Sequence, residues 1–209
     1  MDLTQFLPAP KIALPYALVE GGLPQGGLIE ISGTAGGGRI EALLRFLAEN
    51  AGLQAAWVEE GATIYPCAFP QHGVGLERVL FVNAEPAHPQ QKSPLLDCAH
   101  QILKSGIFGA LILIPTTVPH AGRPPGIGVE IIRGAPREIE LRRLQIAAEK
   151  SGTTVFIVRE KPSVECTWPL AVQLCVSRVS PSRGDQRGEI RVQVLKRKHY
   201  FHSSASSIA

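Results

Sequence analysis

A glycine-rich loop between a strand signal and a helix signal constrains this chain more than any other feature. Leu28, Ile29 and Ile31 form a short β-prone run through Ser32, and Gly33-Thr34-Ala35-Gly36-Gly37-Gly38-Arg39 follows. Beyond the loop Ile40, Leu43, Leu44 and Leu47 fall at i, i+3, i+4 and i+7, one face of a helix that Gly52 can close. Apolar runs alternate with helical patterns for most of the remaining chain. Residues 54–58, 77–82, 109–114 and 153–158 read as strands. Ser93-Pro94 starts a helix lined by Leu95, Ala99 and Ile102, and Pro136 precedes one lined by Leu141, Leu144 and Ala148. The run at 109–114 is apolar without alternation, as a parallel strand covered on both faces requires. The end of the chain changes character: Val172, Leu174 and Val176, then Ile190, Val192 and Val194, alternate with polar residues on either side of a turn-rich stretch. The expected fold is α/β, a mainly parallel doubly wound sheet with helices on both faces and a C-terminal antiparallel hairpin. Residues 115–137 and 160–169 fit neither pattern, and their length without structure predicts mobility or order that depends on a partner.

Composition supports a packed core. Of 209 residues, 44% are hydrophobic and 19% charged, with mean hydropathy +0.09, which excludes a highly charged unstructured chain. The longest strongly apolar stretch, residues 107–114, is far short of the roughly 20 residues needed to span a bilayer. The first residues carry no basic-then-apolar leader pattern, so a soluble cytoplasmic protein without membrane contact is expected. Cys67, Cys98, Cys166 and Cys175 lack metal or redox spacing and read as free thiols. His72, His88, His100 and His120 show no ligand spacing either, so no metal site is predicted. Ser93 reads as a helix cap rather than a nucleophile, Trp57 as core and Trp168 as a loop anchor.

The loop has two readings. A phosphate cradle of the form Gly-x-x-x-x-Gly-Lys-Ser/Thr needs glycines for close backbone approach, a lysine for the β/γ-phosphates and a hydroxyl for Mg²⁺. Gly33 and Gly38 have the right spacing with Gly36 between them, but Arg39 stands at the lysine position and Ile40 at that of the hydroxyl. Either the glycines make a tight turn with Arg39 on a helix surface, or a residual anion site survives at the positive helix end.

Gly21-Gly22-Leu23-Pro24-x-Gly-Gly-Leu-Ile-Glu-Ile-x-Gly resembles the entry to the nucleotide-binding core of the RecA superfamily, and the run from Gly188 to Lys198 is similar to that core's terminal strands. Within the superfamily, Leu141 to Glu149 and Val194 to Lys198 look most like ImuA, a mutagenesis accessory related to the division inhibitor SulA. The resemblance runs from about Leu18 to Tyr200. It implies an N-terminal arm over 1–17, a core over 18–200 with a degenerate nucleotide loop, and a flexible tail over 201–209. Carried across, the water-activating glutamate of the family falls on Gly61, counted back from Pro66, with Glu59 and Glu60 nearby. The Mg²⁺-binding aspartate falls on Pro115, and the γ-phosphate-sensing glutamine is met by Arg159-Glu160. These losses imply a non-catalytic pseudo-ATPase with no cofactor.

The resemblance further implies an accessory role in the SOS response and translesion synthesis, with RecA, an ImuB-type polymerase homologue and an error-prone polymerase as partners. Phe6 and Leu7, with Ile12 and Leu14, would form an arm for head-to-tail association and a homo-oligomer. A divergent ATPase using Arg39 with Glu59 or Glu60, and a SulA-like inhibitor of FtsZ, are the alternatives. Net charge is +3, but residues 178–198 hold seven basic and two acidic side chains, leaving the rest at −2. Strict alternation puts Arg191, Gln193 and Leu195 on the face opposite Val192 and Val194. Arg191, Lys196, Arg197 and Lys198 then suit weak binding to DNA or to an acidic surface, or simply guard a sheet edge. Arg142 and Arg143 either extend that basic surface or pair with Glu138 and Glu140.

Overall fold

The computed structural model describes residues 12–61, 63–85, 93–115, 138–163, 169–179 and 188–198. Most of 115–137, part of 160–169, the turn-rich stretch at 180–187, Phe6, Leu7, His88, His120, Cys166, Trp168 and the tail lie outside them, with the expectations placed there.

Seven strands form one sheet in the order β5-β4-β6-β7-β3-β8-β9: Val79–Asn83, Ala55–Glu59, Ala110–Ile114, Thr154–Arg159, Leu28–Ser32, Val172–Arg178 and Ile190–Arg197. Every neighbouring pair is parallel except β8 with β9. Strand parity divides the core in two. Ile29, Ile31, Trp57, Ile112 and Phe156 face α1 (Arg39–Glu49), and Leu28, Val58, Leu111 and Ile157 face α3 (Pro94–Ser105) and α4 (Glu138–Ser151). The sheet is therefore covered on both faces, as the unbroken apolar strands require. A two-stranded ribbon of β1 (Ala13–Leu14) and β2 (Leu23–Pro24) lies ahead of β3, and a four-residue helix, α2 (Ala68–Gln71), follows β4. Among the described residues no helix is long and apolar enough to cross a membrane.

Three local expectations are corrected. The strand read over 77–82 begins later, because Leu76–Arg78 forms a 3₁₀ turn that points Arg78 inward. There its guanidinium donates to the carbonyls of Leu47 (2.6 Å) and Leu53 (3.1 Å), groups at and beyond the end of α1 that the helix cannot satisfy itself. Helix α1 is closed by Asn50, whose amide donates to the Phe46 carbonyl at 2.8 Å, ahead of Gly52. Ser93 occupies the cap position of α3, but its hydroxyl makes no capping bond.

Within residues 12–17, Leu14 and Tyr16 pack on this chain's own core, whereas Ile12 is 69% exposed. Tyr16 is buried and donates its hydroxyl to the Ala42 carbonyl at 2.9 Å, and the Ala17 N–H donates to the Glu49 carboxylate at 2.6 Å. Burial pushes the Tyr16 phenol well above its ordinary range, and the nearby Glu49 adds to the shift.

Candidate functional site

The glycine loop sits where the C-terminal end of β3 meets α1, the edge at which open parallel sheets bind ligands. Two of its glycines are sterically required. A side chain on Gly33 would strike the Val176 carbonyl of β8, and one on Gly38, at φ +98°, would meet Ile190 at the start of β9 at 2.5 Å. Gly36, at φ +72°, faces open space. The Gly37 N–H donates to the Thr34 carbonyl at 3.0 Å, closing the turn, and no side chain caps the helix start. The β8–β9 hairpin thus packs on the outside of the loop. Arg178 fastens it there, bonding Glu41 of α1 and the Gly188 carbonyl, each at 2.7 Å.

Arg39, Ile40, Glu59, Glu60, Arg159 and Glu160 line a cleft of about 440 Å³ beside the loop, and Pro115 closes part of its wall. Two guanidiniums therefore share the cleft with three carboxylates. Burial pulls Arg39 below the usual arginine range and Glu160 pushes it back up. Ile40 puts a hydrocarbon surface beside Arg39.

The Glu59 side chain is held within its own connection. Thr63 Oγ1 donates to one carboxylate oxygen at 2.8 Å, and the Ile64 N–H donates to the other at 2.9 Å. Glu60 lines the cleft, and Gly61 lies just beyond, its N–H bonded to Asn83 Oδ1 at 3.1 Å.

A buried polar cluster that sequence reasoning missed adjoins the cleft through Arg159. Glu30, 1% exposed in the middle of β3, accepts from the Ser163 N–H (2.8 Å), the Ser163 hydroxyl and Gln173 Nε2 (2.7 Å), with Arg159 Nε at 3.3 Å. The cluster ties the segment after β7 to the centre of the sheet, and the Gly33 N–H adds a bond to the Glu160 carbonyl at 3.2 Å. A glutamate inside an apolar strand run was the only signal, because its partners lie more than 100 positions away.

The basic C-terminal residues do not form one patch. The pairing of β9 with β8 runs Leu174 to Val194 and then Gln173 to Lys196, so Leu195 is bulged out. The bulge inverts strand parity. Lys196 joins Arg191 and Gln193 on one face, and Arg197 turns to the other. There Arg197 donates to the carbonyls of Glu20 and Gly22, both at 2.6 Å, holding the turn ahead of β2. The Lys198 N–H donates to the Ala171 carbonyl at 3.0 Å.

No family model matches the sequence. Known proteins do. The chain is 28% identical to RecA of Rubrobacter xylanophilus over 156 residues, 72% of this chain and 44% of that protein. It is 29% identical to RecA of Bacillus subtilis over 167 residues, 76% of this chain and 47% of the relative, and 27% identical to RecA of Frankia alni over 162 residues. The chain is a distant homologue of RecA. That distant homology supports a RecA-superfamily protein, and the mostly parallel sheet with flanking helices and a C-terminal antiparallel hairpin is consistent with a RecA-like α/β fold. It spans just under half the length of the RecA proteins it matches.

Proposed function

We propose that this RecA-superfamily chain is a non-hydrolysing accessory of the ImuA type, a partner-binding platform in the SOS response and translesion synthesis whose partners are RecA, an ImuB-type polymerase homologue or an error-prone polymerase. The composition of the cleft carries the reading. Phosphoryl transfer needs a divalent cation to neutralise the phosphates and a group to position the nucleophile. Here Ile40 and Pro115 offer no ligand where the hydroxyl and aspartate of the family would stand. Glu59, the acid closest in kind to a catalytic base, has both carboxylate oxygens bonded within its own connection. A triphosphate entering beside Arg39 would also meet Glu60 and Glu160. The residues present therefore suit a magnesium nucleotide poorly, and the scaffold is what remains to be used.

One observation favours the divergent ATPase: Arg39, Glu59 and Glu60 line the same cleft. Phosphate release from Mg·ATP, followed for the full chain and for Arg39→Ala, separates the two readings. The platform reading expects background rates in both, and turnover abolished by the substitution defeats it. Its binding half is measured with immobilised RecA or ImuB-type protein against the full chain and a variant lacking residues 1–15. Association with neither protein removes the proposed partners.

A further inference from the structure

The ends of the molecule away from the glycine loop carry a second concave surface. Helix α3 runs down to the start of β6 and α4 to the start of β7, so their C-termini meet at the opposite edge of the sheet from the loop. Between them lies a hollow of about 440 Å³ lined by His100, Leu103, Lys104, Ala147, Lys150 and Ser151. No carboxylate lines it, and neither lysine has an ion-pair partner among the described residues. A lysine in the last turn of each helix is favourable to the helix itself. That does not account for the hollow or for the aliphatic groups around it. Ile107, directly after the glycine that closes α3, is 67% exposed, and Ile146, one turn before Lys150, is 58% exposed. Ile139, seven residues earlier on the same helix face, is 61% exposed, with Arg143 between the two isoleucines.

We infer that this surface docks an acidic, leucine-bearing peptide segment of a partner protein, its carboxylates on Lys104 and Lys150 and its aliphatic side chains on Ile107, Ile146 and the floor of Leu103 and Ala147. Charge complementarity selects an anionic occupant. The exposed isoleucines select a peptide over a nucleic-acid backbone, because phosphates gain nothing from hydrocarbon and a half-buried aliphatic anchor does. A hollow of this volume takes a few side chains, enough for one helix face or a short extended segment. The inference stands apart from the reading of the glycine-loop cleft, since nothing in it depends on whether that cleft turns over a nucleotide.

The test uses the full chain and a fluorescein-labelled peptide of about 16 residues, four helical turns with leucines on one face and glutamates elsewhere, followed by anisotropy. Saturable binding with a dissociation constant on the order of 10–100 μM, weakened in about 0.5 M salt, is expected. Lys104→Glu with Lys150→Glu, and separately Ile107→Ser with Ile146→Ser, should each weaken it about tenfold or more. Unchanged thermal unfolding would show that both variants fold, and Lys161→Glu, an exposed position beyond the far end of β7, should bind as the parent does. Undiminished binding by the charge-reversed variant, equal binding of a polyglutamate lacking leucine, or tighter binding of oligothymidylate through the same two lysines would overturn the inference. Each of these failures leaves the ATPase measurement, and the reading that rests on it, untouched.

Discussion

Glu41 shows how a single side chain joins two parts of this fold. Burial alone would raise its carboxyl. Hydrogen bonds from Arg178 of β8 at 2.7 Å and from Arg45 one turn along α1 at 2.8 Å outweigh that and hold it below the usual carboxylate range. A carboxyl whose pKa is lower folded than unfolded stabilises the protein above its unfolded value, and that stability is lost as pH falls through the folded one. The hairpin that covers the glycine loop should therefore loosen on acidification. We expect the melting temperature to fall as pH drops below the ordinary glutamate range, and Glu41→Gln to lower it at neutral pH while flattening that acid slope. Circular dichroism melts at a series of pH values check both. An acid slope identical in parent and variant would show that Glu41 does not contribute.

At the scale of elements, legibility in the sequence followed the range of the interaction. The glycine loop, the apolar stripe of α1 and the unbroken strand at 110–114 were readable because their signals are local periodicities. The mixed pairing of the terminal hairpin was readable from the shift to alternation. What escaped depends on partners distant in sequence. The bulge at Leu195, which sends Arg197 to the turn at 20–22, leaves no trace in an alternating pattern. The 3₁₀ turn before β5 exists because Arg78 has carbonyls to satisfy 25 to 31 positions earlier. In the cleft, the loop residues were legible, but the engagement of Glu59 by its own connection and the Glu30 cluster were not. The Arg78 contact makes a sharp prediction. Arg78→Met keeps most of the apolar volume and strips the donors from partly buried carbonyls, so it should cost about 2–3 kcal/mol in urea unfolding. Arg78→Lys should recover only part, since an ammonium cannot span two acceptors as a planar fork does. A neutral Arg78→Met would mean that water satisfies those carbonyls.

For the whole molecule, the question is whether a RecA-type sheet with its hairpin closed over the glycine loop still couples nucleotide binding to stability. Any ligand that binds only the folded state raises the unfolding free energy by RT ln(1 + [L]/Kd), about 2.7 kcal/mol at a hundredfold excess over Kd. For a chain of this size each kcal/mol moves the midpoint by roughly 2–4 °C. Millimolar Mg·ATP on a site of ten-micromolar affinity would thus raise the melting temperature by about 5–10 °C. With Glu60 and Glu160 beside Arg39 and no ligand at Ile40 or Pro115, a shift below about 1 °C is expected. Restoring the loop alone, by Arg39→Lys with Ile40→Thr, should bring back at most part of that shift, because the carboxylates and the proline remain. A large shift in the parent chain would show that the cleft accepts the nucleotide despite its charge. A full shift in the restored variant would place the loss of binding in those two side chains and not in the cleft as a whole.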